Sequence, residues 1–127
     1  MENALGLIEA QGLTTAVTAL DAASKAADIT LIGVEKVIGV GKGVGVTINI
    51  TGEVAAVQAA VEAGVIAGNR VGTIISSHVI PRPHEDIDKL IEKFAKNLKK
   101  KEELKEVKEK SPKKVVEKNT DNNKEEK

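Results

Sequence analysis

The stretch that decides where the predicted sheet ends reads SHVIPRPH and covers residues 77–84. It closes an apolar run that begins near Val71. Proline has no backbone N–H to donate to a strand ladder, so a strand here must end or become an unpaired edge near Pro81. Each proline also favours an extended conformation at the residue before it. The pattern predicts a stiff arm that holds Arg82 and His84 away from the core, and it fits either a contact with another molecule or simply a strand end.

Upstream of this arm the chain alternates between strand and helix patterns. The predicted elements are a strand over 3–9, a helix over 13–27, strands over 29–37 and 46–51, a helix from 53 to about 69 and a strand over 71–80. This order predicts an α+β class, the ferredoxin-like split βαβ fold, with a four-stranded antiparallel sheet and two helices on one face. The second face and the sheet edges have no predicted cover within one chain, which favours association with other chains.

A glycine-rich stretch, VIGVGKGVG over residues 37–45, separates the second and third predicted strands. Because glycine reaches positive φ and lets backbones approach closely, the stretch predicts a hairpin loop. A phosphate-binding loop is rejected, since no Lys-Ser or Lys-Thr pair follows the glycines and the next element is a strand. A dinucleotide-binding loop fails on the same ground.

Composition excludes several classes of function. The 127 residues are 1% aromatic and include no cysteine. Stacking on bases or flat cofactors is therefore almost excluded, and disulfides, thiolate metal sites and a cysteine nucleophile are ruled out. His78 and His84 match no common metal-ligand spacing. No catalytic set can be assembled, so the sequence predicts no enzyme, no metal and no cofactor. No signal peptide and no membrane-spanning run is recognisable.

The charge is divided between two segments. Residues 1–94 carry 7 basic and 11 acidic side chains, whereas residues 95–127 carry 12 and 8. The composition changes from Glu85 onward. An apolar stripe at helical spacing comes first and consists of Ile87, Leu90, Ile91, Phe94 and Leu98. We expect that helix to fray between 98 and 109 and the rest to be disordered. The sequence therefore predicts a domain over 1–94 and a charged, largely disordered C-terminal extension over 95–127.

Six motifs follow one another at characteristic spacing. They are residues 4–9 (ALGLIE), 12–13 (GL), 22–27 with Lys25 (AASKAA), 30–36 (TLIGVEK), 52–54 (GEV) and 78–84 (HVIPRPH). Over about residues 3–93 the chain resembles the single-domain, hexamer-forming shell proteins of bacterial microcompartments. The sequence PRPH of the arm resembles that of shell proteins from catabolic compartments, or metabolosomes, more than that of carboxysome shell proteins. The resemblance implies a flat cyclic hexamer that tiles a cytoplasmic shell, with other shell proteins and encapsulated enzymes as partners.

The resemblance also implies two sets of site residues. The loop between strands two and three would line a central pore for small polar metabolites, through Ile38, Gly39, Val40, Gly41, Lys42, Gly43 and Val44. Lys25 and Arg82, with Pro81 and His84, would form the edge between hexamers. The loop is about four residues longer than is usual in the family. Six copies of Lys42 would therefore make a cationic pore, or the longer loop would close it.

Two other functions remain open from the residues alone. A ferredoxin-like fold also hosts small ligand-binding regulatory domains, which would form a monomer, dimer or trimer with a discrete pocket. A nucleic-acid binder acting through residues 95–127 would show salt-dependent retention on DNA. The mixed charge of that segment favours a solvated tail instead, so we expect no nucleic-acid partner.

Overall fold

The computed structural model describes residues 3–40 and 43–110. Its elements, in chain order, are β1 (Ala4–Gln11), α1 (Leu13–Ala26), β2 (Thr30–Val40), β3 (Gly43–Gly52), α2 (Val54–Val71), β4 (Ile74–Ile80) and α3 (Glu85–Lys110). The strands form one antiparallel sheet in the order β2-β3-β1-β4. This confirms the predicted ferredoxin-like α+β fold.

The main core lies between one face of the sheet and helices α1 and α2. Because strand side chains alternate between faces, Ile8, Ile48 and Ile50 all point to this side, where they are buried. The helices contribute mainly small side chains: Ala16, Ala19, Ala23 and Ala60, with Val57 and Val61. The helix faces that contact the sheet therefore consist mainly of small side chains. Leu13 and Val17, which the periodicity of α1 assigns to this face, are instead about half exposed.

Helix α3 packs on the opposite face of the sheet. Ile91 is 7% exposed and lies in a second cluster with Leu5 and Ile32. Gly33 allows this approach, because a Cβ at that position would stand 2.8 Å from the Cβ of Phe94. The expectation that one chain offers no cover for this face is therefore wrong where α3 lies. The apolar stripe of the third helix is itself the cover.

The glycine-rich stretch is mostly strand rather than loop. Ile38 pairs with Val44 and Val40 with Gly43, so the predicted loop over 38–45 is wrong for its described residues. Valine and isoleucine between the glycines continue the ladder, because β-branched side chains suit extended backbone. The register shifts between Ile38 and Val40, and Gly39 there has a positive φ of 92°.

Two other boundaries differ from the predicted ones. Helix α2 continues past Asn69, whose side-chain Oδ1 accepts a 3.1 Å hydrogen bond from the backbone N–H of Ile74. The amide therefore ties the start of β4 to α2 rather than ending the helix. Helix α3 continues to Lys110, past the predicted fraying between 98 and 109. The division at residue 94 into a domain and an extension stays a prediction. The expected disorder of residues 111–127 lies outside the described residues.

The docking of α3 can be tested by truncating Ile91. We expect Ile91→Ala to lower the free energy of unfolding by about 2 kcal/mol, because a buried aliphatic side chain leaves a cavity. Leu104→Ala is the matched control on the same helix, since Leu104 is 51% exposed; its effect should stay below about 0.5 kcal/mol. Urea denaturation measures both. Equal effects of the two substitutions would mean that α3 is not packed on the sheet.

Candidate functional site

The β2–β3 hairpin extends beyond the rest of the sheet. The last pair between β1 and β3 is Gln11 opposite Gly45, so residues 38–40 and 43–44, here called the hairpin tip, have no third strand beside them. The backbone N–H of Gly12 donates a 2.8 Å hydrogen bond to the carbonyl of Val44 and anchors the base of the tip. Ile38 is 89% exposed. The tip thus presents apolar side chains that the other described residues leave exposed.

The predicted pore residues are placed by the structure as follows. Ile38, Gly39, Gly43 and Val44 lie together in the hairpin tip, with the backbone of Val40. Gly41 and Lys42 lie outside the described residues. The tip therefore brings together the described part of the predicted set, and its lining of a pore stays a prediction.

Lys25 lies in the last turn of α1, where its side chain is exposed. Its Nζ atom is 2.7 Å from Oδ2 of Asp21, one turn earlier on the same helix. Exposed pairs of this spacing contribute only about 0.3–0.5 kcal/mol. The ammonium is therefore free to exchange Asp21 for a partner on another chain at little cost.

The proline arm leaves the sheet directly after Ile80, the last residue of β4. Pro83 is buried, whereas Pro81, Arg82 and His84 are exposed. His84 directly precedes α3. Its carbonyl accepts a 2.9 Å hydrogen bond from the N–H of Ile87, and its Nδ1 accepts a 3.2 Å hydrogen bond from the N–H of Asp86.

Arg82, by contrast, forms no ion pair or hydrogen bond within the part of the chain that the structure describes. Its guanidinium is held outward between one exposed and one buried proline, as the sequence predicts. The structure records no contact between Arg82 and Lys25 in a single chain, so their pairing across an edge stays a prediction.

Sequence reasoning missed a cavity of about 340 Å³ between α3 and the second face of the sheet. Its lining residues are Leu5, Leu7, Glu35, Thr47, Asn49, Ile80, Ile87, Leu90, Ile91 and Phe94. The signal was present in β3, where the run TINIT places Asn49 on the same face as Thr47 and Thr51. The same alternation is found in any strand with one exposed face, so it predicts a cavity only once α3 is known to cover that face.

Over residues 3–40 and 43–110, no group of three or more His, Asp or Glu side chains is placed to hold a metal ion. In the same part of the chain, no helix is both long and apolar enough to cross a bilayer.

The chain is similar in sequence to known microcompartment and carboxysome shell proteins. The bacterial microcompartment shell protein PduA of Citrobacter freundii is 46% identical over 92 residues, which are 72% of this chain and 95% of PduA. The shell protein EutM of Escherichia coli K12 is 45% identical over 87 residues, 68% of this chain and 86% of EutM. The carboxysome shell protein CcmK2 of Thermosynechococcus vestitus is 45% identical over 88 residues, 69% of this chain and 84% of CcmK2.

A solved microcompartment protein of Desulfitobacterium hafniense DCB superimposes with a TM-score of 0.59 at 35% identity. The match covers 70% of this chain and 48% of the other, so the chain spans about half the length of that protein. The model of the BMC domain family matches residues 4–83, from the start of β1 to the second proline of the arm. The chain therefore belongs to the BMC domain family.

Proposed function

We propose that the protein is a structural subunit of a bacterial microcompartment shell in the cytoplasm, and that six copies form a flat ring that tiles a shell facet. The observation that carries this proposal is the match to PduA, which spans 95% of that shell protein at 46% identity. The role is structural rather than catalytic. Other shell proteins, meeting the ring edge to edge, and encapsulated enzymes are the proposed partners.

The hairpin tip supports a ring with its axis near residues 38–45. Ile38 and Val44 are exposed apolar side chains on a two-stranded projection. Around a sixfold axis the equivalent residues of all copies converge, so tips near the axis would bury one another's apolar side chains. The space left on the axis would be the pore through which small polar metabolites pass.

Lys25 and Arg82 support the contact between rings. Both are exposed, and Lys25 is held only by a weak surface pair with Asp21. Arginine carries five donors in a planar fork, which suits backbone carbonyls or carboxylates on a neighbouring surface. The two prolines limit the backbone freedom of Arg82, so less entropy is lost when it binds. Pro81 and His84 would border the same contact.

Sedimentation of the purified protein, with electron microscopy of its assemblies, tests the proposal. We expect six-chain rings and flat sheets of them. A discrete monomer, dimer or trimer at high concentration would contradict the ring and favour the ligand-binding regulatory domain. Salt-dependent retention on DNA, lost on deleting residues 95–127, would favour the nucleic-acid binder.

The proposed pore gives a further prediction for Lys42. Six lysines around one axis form a ring of positive charge, which favours anions over cations. Lys42→Ala should therefore lower the ratio of anion to cation permeability of rings in a planar bilayer. Lys93→Ala is the control, because it removes the same charge from an exposed site on α3. An unchanged ratio for Lys42→Ala would mean that this side chain does not face the pore.

A further inference from the structure

The apolar surface of the hairpin tip continues onto helix α1. Val44 lies two residues from Val46 on β3, and Val46 is buried against the helices, so Val44 and its cross-strand partner Ile38 face the helix side of the sheet. Leu13 and Val17 of α1 are about half exposed on that same side. These four residues, Leu13, Val17, Ile38 and Val44, are called here the α1–β2 surface.

A crevice of about 40 Å³ opens within the α1–β2 surface. It lies between α1 and the helix-facing side of β2 and β3, where Leu20 and Val34 join Leu13 and Val17, and all of its lining side chains are aliphatic. Such a crevice suits an aliphatic side chain and offers no hydrogen bond to a polar ligand. The spacing of Leu13 and Val17 predicts burial, and an aliphatic surface packed over the crevice would supply it.

A different apolar surface lies on the side of β4. Ile66 and Val71 of α2 and Ile75 of β4 are between 39% and 59% exposed, and together they are called here the α2–β4 surface. Because the strand order is β2-β3-β1-β4, β2 and β4 are the two edges of the sheet. Helix α2 packs over β1 and β4. The α1–β2 and α2–β4 surfaces therefore lie on opposite edges of the same sheet.

Both surfaces lie at the end of the sheet that carries the hairpin tip. Gln11 pairs with Gly45 at the base of the tip, and its N–H donates a 2.9 Å hydrogen bond to the carbonyl of Thr73, in the connection between α2 and β4. Lys25 and Arg82, by contrast, lie at the other end, in the last turn of α1 and after β4. A chain whose tip is on an axis would therefore turn one surface toward each of its two neighbours.

A closed ring needs two different surfaces on every chain, because its contacts are heterologous, whereas a twofold dimer uses one surface twice. We propose that the α1–β2 surface of each chain packs against the α2–β4 surface of the next, with an aliphatic side chain of the latter in the crevice. This inference rests on the proposed ring of six. It names the two surfaces through which each copy contacts its neighbours.

Cross-linking of the full chain tests the pairing, and the absence of cysteine from the sequence makes introduced thiols unique. The test variant carries Val17→Cys and Ile75→Cys and is treated with a short bis-maleimide before denaturing electrophoresis. We expect a covalent ladder from two to six chains, because each link joins unlike residues of neighbouring copies. Each single variant should stay at one chain. Val17→Cys with Leu104→Cys is the matched control, since Leu104 is similarly exposed but lies on α3.

The possible results separate this inference from the proposed ring. Six-chain rings under the electron microscope without a ladder would overturn the pairing of surfaces and leave the shell role intact. Dimers from either single variant would overturn it as well, since they require a surface that meets its own copy. A ladder that continues past six chains would support the pairing and contradict the ring, because heterologous contacts that do not close form open filaments.

An introduced charge gives an independent check. Val17→Asp should raise the concentration needed for ring formation at least about tenfold, because a carboxylate without a partner is unfavourable in an apolar contact. Thr14→Asp is the matched control, since Thr14 is exposed on the same helix and lies outside the α1–β2 surface. Circular dichroism should show both variants folded. Rings of Val17→Asp that form as readily as those of Thr14→Asp would remove the α1–β2 surface from the contact.

Discussion

Replacing Gly64 with valine is expected to lower the free energy of unfolding by about 3 kcal/mol, although glycine is the poorer helix former. Gly64 lies on the side of α2 that faces α1 and the sheet. A Cβ there would stand 2.8 Å from Cδ1 of Ile8 and 2.9 Å from the carbonyl oxygen of Ala19. The isoleucine can rotate, but the backbone oxygen moves only with α1 as a whole. A branched side chain therefore separates the helices and disturbs the main core.

Ala59→Val is the matched control for this prediction, because Ala59 lies on the exposed side of the same helix. It introduces the same side chain without the contacts and should cost about 0.5 kcal/mol or less. Urea denaturation at one fixed protein concentration measures both, since assembly makes the midpoint depend on concentration. If Gly64→Val were as stable as Ala59→Val, the two helices would not lie as close as the structure places them.

Arg82→Ala is expected to raise the concentration needed for sheet formation by at least about tenfold while leaving individual rings intact. Hydrogen bonds to a charged group contribute about 1.5–3 kcal/mol, and about 1.4 kcal/mol corresponds to tenfold. Every ring would lose the contact at each of its edges, so the effect on an extended sheet accumulates. Because Arg82 is exposed and unpaired among the described residues, the free energy of unfolding should change by no more than about 0.5 kcal/mol.

Arg70→Ala is the control, since Arg70 is an exposed arginine in the last turn of α2 and changes the net charge equally. Light scattering against protein concentration, followed by electron microscopy, distinguishes the two variants. Sheets that form as readily with Arg82→Ala as with Arg70→Ala would remove Arg82 from the proposed edge. Loss of the rings themselves would show that Arg82 acts inside the hexamer instead.

The fold was predictable because its signals are local. Periodicity alone orders the four strands and two core helices, and the proline arm ends β4 where the missing N–H requires it, directly after Ile80. The stripe of α3 was equally visible. The sequence did not show which sheet face α3 covers, because its docking depends on a long-range contact between Phe94 and Gly33 on β2.

The hairpin tip and the cavity were harder to predict for different reasons. A run in which glycine alternates with valine is compatible with a loop and also with a paired strand. Only the observed pairing of β2 with β3 shows that these residues are strand. Asn49 follows the ordinary alternation of a half-exposed strand, so its burial becomes visible only when α3 is in place. Leu13 and Val17 show the reverse, since their helical spacing suggests burial but the helix turns them outward.

The length and position of α3 would give the proposed tile two unlike sides. Its 26 residues span roughly 39 Å, and only the first half carries the stripe that packs on the sheet. Rotation about a single axis never turns a subunit over, so all six helices emerge from one surface. That surface would carry the second half of each α3, which is rich in lysine and glutamate, whereas the opposite surface would carry α1 and α2. A shell built from such tiles would have different inner and outer surfaces. The orientation of each tile in the facet would decide whether the α3 helices face the enclosed enzymes or the cytosol.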